Sequence, residues 1–329
     1  MSQSLSDRPR VRRGRSIAAV LGTALIVALV LLPDLVRLDR YFPFAQIVAL
    51  RVQAAVVVGL LAVVVVVVRR RWWPAAATAL VVVGVAALMV VGRLAADDGS
   101  VAGGRPLTVL SFNVFEGTAE PGPLAAAIRG NRPDLVVLTE AAGPFLEQVM
   151  PLVDDLGYLP WSAVGPDAPD LSGTVVLAAP SLGDLSARTV ASDTRYPWAQ
   201  VTGGALGPVQ VIAVHTASPV PGWIESWPRE LESLQRWCGA RTPTIIVGDF
   251  NASADHSAFR SGTAGCTDAA AATGAGLVAT WPSDWPRWLG AQIDHVLTVG
   301  GPAPRSVEIL DLPGSDHRAL LTRLVLPGA

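Results

Sequence analysis

The stretch Thr-Ile-Ile-Val-Gly-Asp-Phe-Asn at positions 244–251 joins an apolar run to a polar end. Its consecutive β-branched residues predict a buried strand, because such side chains pack well on a pleated surface. The strand would deliver Asp249 and Asn251 into the loop at a sheet edge. A carboxylate and a carboxamide held side by side there can orient a water molecule and bind a phosphate oxygen. Gly-Asp turns are common, so this stretch alone is equally compatible with an ordinary turn.

Five more segments place a polar side chain where an apolar run ends or begins. In chain order they are Ser-Phe-Asn-Val at 111–114, Leu-Thr-Glu at 138–140, Val-His-Thr at 214–216, Ile-Asp-His at 293–295 and Ser-Asp-His at 315–317. Each adjoining apolar run reads as a strand. The repetition favours a shared site over a set of unrelated turns.

This ordered set resembles the endonuclease/exonuclease/phosphatase superfamily, which has the deoxyribonuclease I-like fold. The resemblance covers about residues 106–326 and implies an α/β architecture: a four-layer sandwich of two packed mixed β-sheets flanked by helices. Short apolar runs predict strands at 107–112, 135–138, 174–177, 209–214, 244–247, 293–299 and 319–325, and helices are predicted at 123–129 and 229–237. Such alternation fits this sandwich, although composition alone would not separate it from other α/β folds.

The resemblance also implies a metal site. Cleavage of a phosphodiester needs a cation to neutralise developing charge, an activated water, and donors for the phosphoryl oxygens. Glu140 matches the principal Mg²⁺ ligand of the family, Asn113 lies beside it, and Asp316 resembles a second carboxylate near the metal. Oxygen ligands without thiolates suit Mg²⁺, and Mn²⁺ is possible.

Five further residues match catalytic positions of the family. His317 is implied to be a general base or the partner that stabilises the transition state, and Asp294 orients it. Asp249 positions or deprotonates the water, Asn251 donates to a phosphate oxygen, and His215 binds phosphate. Taken singly, His215 is more typical of a satisfied strand-end histidine, and Asp294 is equally typical of a turn.

Some positions depart from the family or stand outside its motifs. Phe115 occupies a position where some relatives carry Asp, so a second metal ligand there is absent or replaced by Glu116. This difference points away from an abasic-site nuclease. Two tyrosines, Tyr158 and Tyr196, are candidates for a phosphate contact. Of the remaining histidines, we interpret His295 as structural and His256 as a surface residue.

The first hundred residues are dominated by Val, Ala and Leu. Apolar runs at 16–32, 52–68 and 75–91 each approach the ~20 residues that cross a ~30 Å hydrocarbon core. Any one of them could be a buried helix of a soluble protein, but three in succession predict a membrane anchor. The chain then divides into a basic N-terminus (1–15), the anchor (16–92), a Gly- and Ala-rich linker (93–104) and a catalytic domain (105–329).

Arginine clusters indicate the orientation of this anchor. Five arginines precede the first run, and Arg69, Arg70 and Arg71 follow the second, whereas the connection between runs one and two is nearly balanced. The positive-inside rule puts both clusters in the cytoplasm and the catalytic domain outside, in a multi-pass cell-membrane protein. Cleavage of the first run as a signal peptide would leave the domain on the same side.

Charge and cysteine content agree with an outer domain that binds a cation. Residues 105–329 carry 13 arginines, no lysine and 22 acidic residues, a net charge near −9, which disfavours non-specific binding of long polyanions. Cys238 and Cys266 are either two buried thiols or a disulfide, and the extracytoplasmic setting favours the disulfide. Its 28-residue loop would contribute roughly 3 kcal/mol.

Two tryptophan-rich segments at 219–227 and 281–289 precede active-site motifs and are predicted to flank the pocket. Their rings could stack on a base, enter a membrane interface, or pack against the core. The sequence therefore predicts a membrane-anchored, metal-dependent phosphoesterase acting on nucleic acid or a lipid head group. The alternative is a catalytically silent, membrane-tethered scaffold domain of the same fold.

Overall fold

Four helices form the N-terminal part of the chain. The computed structural model describes residues 8–96, 104–190 and 194–327, with side chains from residue 17 onward. In chain order the helices are α1 (Arg8–Leu31), α2 (Phe44–Ala49), α3 (Arg51–Val68) and α4 (Trp73–Val90). Among them, α1, α3 and α4 pack through a cluster rich in small residues: Val27, Leu31, Ala55, Ala62, Ala76, Ala79 and Ala86. Small residues at helix contacts are typical of helices that associate in a bilayer.

The lengths and exposure of these helices bear on the predicted spans. The stretches Arg51–Val68 and Arg70–Leu94 are long and apolar enough to cross a membrane, whereas the apolar helix Ile17–Leu31 is shorter. Two of the three predicted spans thus meet the requirement for length and composition, and the first is not confirmed within the described residues. Only 17% of the first long stretch and 28% of the second are buried, unlike the core helix of a soluble protein.

Twelve strands in the described part of the chain form two six-stranded sheets. The first sheet contains, in spatial order, β11 (Ala303–Leu310), β12 (Ala319–Leu326), β1 (Arg105–Asn113), β2 (Leu135–Thr139), β4 (Thr174–Ala178) and β3 (Leu159–Ser162). The second contains β5 (Leu185–Val190), β6 (Trp198–Gly203), β7 (Gln210–His215), β8 (Thr244–Asp249), β10 (Asp294–Val299) and β9 (Thr267–Asp268). Both sheets are mixed, with β1 parallel to β2 and β7 parallel to β8.

Helices cover the outer faces of both sheets. In chain order they are α5 (Pro121–Asn131), α6 (Gly143–Val149), α7 (Trp227–Ser233), α8 (Gln235–Cys238), α9 (Ser257–Gly262) and α10 (Ala269–Ala272). The first two pack on the first sheet, and α7 to α9 pack on the second. A third apolar cluster fills the space between the sheets, with Leu107, Val137, Val211 and Val247 at its centre. The predicted four-layer sandwich is therefore confirmed, and its central parallel strands, buried on both faces, explain the continuous apolar runs.

The N-terminal helices dock on this sandwich through a buried ionic cluster, here called the anchor–domain contact. It comprises Asp34, Arg51, Arg93, Asp255 and Arg260. Arg51 Nη1 lies 2.9 Å from Asp255 Oδ1 and also bonds Asp34, while Arg93 contacts both Asp255 oxygens at 2.7 and 2.9 Å. Arg93 belongs to the predicted flexible linker, yet it is held against the domain. Residues 97–103 of that linker lie outside the described residues.

A disulfide joins α8 to the segment before β9. Cys238 and Cys266 are bonded across a separation of 28 residues, as predicted. The crosslink reduces the conformational entropy of the unfolded chain. The double variant Cys238→Ser/Cys266→Ser is therefore expected to lose about 3 kcal/mol of unfolding free energy. Denaturant titration of wild type and variant, each with and without reductant, measures this loss. A variant as stable as the oxidised wild type would show that the bond contributes nothing.

Candidate functional site

The candidate site lies where the strands β1, β2, β7 and β8 end. Parallel neighbours bring their carboxyl ends to one sheet edge, so His215 and Asp249 end β7 and β8 side by side in the second sheet. Asn113 ends β1 in the first sheet, beside β2, and reaches Asp249 across the gap between the sheets. The register pairs Asp249 with His215 on one flank and with Asp294, at the start of the antiparallel β10, on the other. Three predicted residues thus lie in one row across the second sheet.

Gly248 permits this close pairing of β7 with β8. Its φ is +141°, and a Cβ there would lie 2.0 Å from the carbonyl oxygen of Val214. Any side chain would push the two strands apart. The glycine of the motif at 244–251 is therefore a packing requirement of the strand pair that carries Asp249.

Asn113 links the two principal carboxylates. Its Nδ2 donates to Glu140 Oε1 at 3.0 Å and to Asp249 Oδ2 at 2.9 Å, and the backbone N–H of Glu116 donates to Glu140 Oε2 at 2.8 Å. Glu140 itself has a left-handed backbone, with φ of 55°, which is rare for a residue with a side chain. Burial raises the pKa of both Glu140 and Asp249. Two buried acids that share one amide are the kind of site that a cation stabilises.

His317 lies between three carboxylates. Its Nδ1–H donates to Asp294 Oδ2 at 2.9 Å, which leaves Nε2 3.8 Å from Asp249 Oδ2 and 3.8 Å from Asp316 Oδ1. Burial disfavours the charged ring, but the carboxylates of Asp294, Asp249 and Asp316 outweigh it and raise the pKa of His317 to about 10. The predicted pairing of His317 with Asp294 is thus present in the geometry.

His215 approaches the same carboxylates from the other side. Its Nε2 lies 3.7 Å from Glu140 Oε1 and 3.8 Å from Asp249 Oδ2. Tyr196 stacks on the imidazole with ring centroids 4.1 Å apart. Burial and the neighbouring His317 lower the pKa of His215 to about 3. The ring is therefore neutral, and Tyr196, a weak candidate by sequence, proves to line the site.

Asn251 and Asp316 complete the predicted set. Asn251 has a φ of 48°, its backbone N–H donates to Asp249 Oδ1 at 2.7 Å, and its Nδ2 donates to Thr216 O at 3.0 Å. Asp316 accepts a bond from Trp281 Nε1 at 3.0 Å through Oδ2, and its buried Oδ1 has no hydrogen-bond partner. All eight predicted site residues therefore fall in one region, Asp316 at its more exposed side.

The grouping of donor atoms differs in part from the predicted ligand set of Asn113, Glu140 and Asp316. Among the described residues, two acid–imidazole groups lie close enough to hold one ion: Glu140, His215 and Asp249, and Asp249, Asp294 and His317. Asp249 belongs to both groups, whereas Asp316 belongs to neither. The oxygen-rich donors and the raised pKa values of Glu140 and Asp249 fit a divalent cation.

Three other residues singled out by sequence do not belong to the acid–imidazole groups. His295 is fully buried, with Nδ1 2.6 Å from Asp268 and Nε2 2.9 Å from Ala252 O, in keeping with the structural role predicted for it. The hydroxyl of Tyr158 donates to Pro133 O and is not part of the site. The prediction that His256 is a surface residue is wrong: it is 1% exposed, because helix α2 covers it.

A cleft of about 500 Å³ opens above these residues. Both tryptophan-rich segments flank it as predicted, with Val220 and Trp223 from one and Trp281 and Trp285 from the other. Sequence reasoning missed a third wall, which the N-terminal part of the chain supplies: Ala45, Gln46, Ala49 and Leu50. A sequence offers no signal for it, because these apolar residues read as part of the anchor.

The fold and this cluster of acids and imidazoles together define a phosphoesterase-like site. The sequence matches the Endonuclease/Exonuclease/phosphatase family over residues 110–317, more than half of the chain. The chain therefore belongs to this family, whose members generally depend on a divalent metal. A comparison with curated proteins gave no significant match.

Solved structures share the fold at low sequence identity. A conserved protein of unknown function from Enterococcus faecalis is 14% identical with a TM-score of 0.50, over 67% of this chain and 100% of that one. TDP2 from D. rerio, complexed with a single-strand DNA product, is 16% identical with a TM-score of 0.50, over 67% and 98%. An endonuclease/exonuclease/phosphatase from Beutenbergia cavernae is 20% identical with a TM-score of 0.49, over 68% and 72%.

Proposed function

We propose that the protein is a membrane-anchored, extracytoplasmic phosphoesterase that hydrolyses a phosphodiester by metal-assisted attack of water. The substrate class is nucleic acid or a lipid head group. One observation carries the proposal: the Asp249 carboxylate lies within 4 Å of Asn113, His215 and His317, at the bottom of an open cleft. Water and a phosphoryl group can reach that point together, which a purely structural cluster would not require.

The cation is Mg²⁺ in this proposal, with Mn²⁺ as a substitute. Glu140, Asn113 and Asp249 would hold it, Asp316 would lie nearby, and it would neutralise charge on the phosphoryl oxygens. Asp249 orients the attacking water and accepts its proton. His317, held by Asp294 through Nδ1, turns Nε2 toward the same space and stabilises negative charge there. His215 and Asn251 position the phosphate.

The proposed location rests on the helix ends. Asp34 follows α1, Arg51 begins α3 and Arg93 follows α4, and all three meet the domain at the anchor–domain contact. If the three helices span the bilayer, those ends share the domain's side. The arginines at 69–71 then lie at the opposite, cytoplasmic side, in line with the positive-inside rule. The Cys238–Cys266 disulfide suits an oxidising, extracytoplasmic compartment.

Metal dependence tests the proposal directly. We expect the full-length protein in detergent micelles to hydrolyse bis(p-nitrophenyl) phosphate with Mg²⁺ and to stop when EDTA is added. Because Glu140 is a proposed ligand, Glu140→Gln should raise the Mg²⁺ concentration for half-maximal rate at least ~10-fold. The exposed Glu147 provides the matched control, Glu147→Gln, with an unchanged Mg²⁺ requirement.

Two results would contradict the proposal. Hydrolysis that persists in EDTA would show that the reaction does not require the metal. Absence of hydrolysis for p-nitrophenyl diester, p-nitrophenyl monoester, DNA, RNA and phospholipid, with no Mg²⁺-dependent rise in melting temperature, would favour the silent scaffold.

A further inference from the structure

One wall of the cleft comes from the segment between the first two long N-terminal helices. Ala45, Gln46, Ala49 and Leu50 line the cleft together with Val220 from the domain. Two contacts hold this wall in place: His256 Nε2–H donates to Ala45 O at 2.9 Å, and the Gln46 side chain donates to Pro219 O. The wall is therefore a built part of the site, although it belongs to the anchor.

The tryptophan-rich segment at 281–289 is held by hydrogen bonds next to the first turn of α3. Gln53, the third residue of α3, donates through Nε2 to the carbonyl oxygens of Trp288 and Gly290, at 3.0 Å each. Trp281 and Trp285, which line the cleft, are exposed by 40% and 45%, and Trp288 by 72%. If α3 spans the bilayer, these rings lie at its interface, where amphipathic aromatic side chains are favoured.

The chemistry of the lining restricts the occupant. The ionisable lining groups are the acids Glu116, Glu140, Asp249 and Asp316, the imidazoles of His215, His256 and His317, and the phenol of Tyr196. No arginine lines the cleft among the described residues, and the chain has no lysine. A groove for a nucleic acid strand needs basic side chains along the backbone path. The acidic end and apolar walls fit one phosphate attached to an apolar chain.

We infer that the natural substrate is the phosphate ester of a membrane-resident amphiphile. Its phosphate reaches Asp249, and its apolar chain lies against the wall formed by Leu50, Val220 and Trp285 before it enters the bilayer. This inference rests on the proposed phosphoesterase function and narrows its substrate class. In the reaction, the water oxygen bonds to phosphorus, one P–O ester bond breaks, and the water proton ends on the leaving alkoxide. A diester yields an alcohol and a phosphate monoester, and a monoester such as phosphatidic acid yields an alcohol and inorganic phosphate.

Pairs of esters with the same phosphate and different tails test the inference. The full-length protein in micelles is assayed with dioleoyl phosphatidylglycerol against soluble glycerophosphoglycerol, and with dioleoyl phosphatidic acid against glycerol 3-phosphate. Plasmid and single-stranded DNA are assayed in parallel. We expect kcat/KM for at least one lipid to exceed that of its soluble partner and of DNA by 10-fold or more, since burial of a few methylene groups supplies ~1.4 kcal/mol.

Two variants test where the apolar chain of the substrate lies. Leu50→Gln is expected to lower the lipid-to-soluble ratio of kcat/KM about 5-fold, since it places an amide in the apolar wall. Leu35→Gln, an equivalent change at an exposed residue outside the cleft, should keep the wild-type ratio. Melting temperatures check that both variants fold, and the wild-type comparison stands without them.

The possible outcomes separate the two proposals. Three results would overturn the inference of an amphiphilic substrate and still leave a phosphoesterase. They are equal rates on a lipid and its soluble partner, faster cleavage of DNA, and cleavage of p-nitrophenyl esters with no cleavage of either lipid. An unchanged ratio in Leu50→Gln, with a wild-type preference for lipid, would overturn the position given to the tail. Cleavage that is insensitive to chelator, or the absence of cleavage for every ester tested, would contradict the proposed metal-dependent phosphoesterase function itself.

Discussion

Asp249→Asn is expected to lower kcat for bis(p-nitrophenyl) phosphate by at least ~10²–10⁴, the loss typical of an acid–base group. The change keeps the volume and the hydrogen bond from the Asn251 backbone, but it removes a carboxylate shared by both candidate ion-binding groups. His317→Ala should cause a loss of the same order. Because the two residues act on one reacting centre, the double variant should lose far less than the product of the single losses.

The control for this prediction is Asp154→Asn, the same change at an exposed position that does not line the cleft. It should retain the wild-type rate. Steady-state kinetics with saturating Mg²⁺ measures the wild type and all four variants, and melting temperatures exclude unfolding as the cause. Full activity in both Asp249→Asn and His317→Ala would show that the proposed roles are wrong.

Asp255→Asn is expected to destabilise the docking of the N-terminal helices on the domain by about 3–5 kcal/mol. Asp255 is 4% exposed, and it pairs with Arg51, which is 1% exposed, and with Arg93. Removing its charge leaves the buried Arg51 with Asp34 as its remaining counter-charge and takes the carboxylate away from Arg93. Thermal unfolding of the full-length protein in detergent should show a melting temperature lower by roughly 6 °C or more.

A second ion pair of the same interface provides the comparison. Glu232 pairs with Arg40, but its side chain is partly exposed, so Glu232→Gln should cost less than about 1 kcal/mol. The difference in melting temperature between the two variants compares the contribution of a buried ion pair with that of an exposed one in the same interface. Equal, small shifts would mean that the anchor–domain contact does not hold the helices to the domain.

The sequence predicted the site better than it predicted the sheets. Buried parallel strands leave an unambiguous apolar run, and the carboxyl ends of β7 and β8 share an edge, which brings His215 and Asp249 together. Asn113 ends a strand of the other sheet, and only the family resemblance placed it beside them. Strands at or near the exposed edges were missed. Residues 185–190 alternate half-buried with exposed positions, and 303–310 mix Pro, Arg, Ser and Glu with apolar residues. Their pattern is weak because one face contacts water.

Contacts between distant parts of the chain could not be predicted. His256 was interpreted as a surface residue because nothing in its neighbourhood indicates that Ala45, 211 residues earlier, accepts its Nε2 proton. Tyr196 was a candidate without support because its stacking on His215 depends on the pairing of β6 with β7. The helix predicted at 229–237 is divided in the structure into α7, which ends at Ser233, and α8, which begins at Gln235. The periodicity of the residues does not indicate this interruption.

The N-terminal wall makes one cleft depend on two distant parts of the chain. Ala45 and Leu50 leave the ribosome long before Asp249 and His317, so the cleft stays incomplete until the domain has folded against the earlier segment. A domain released from that segment by proteolysis would lack part of the cleft. Removal of the N-terminal helices would therefore alter the candidate site itself.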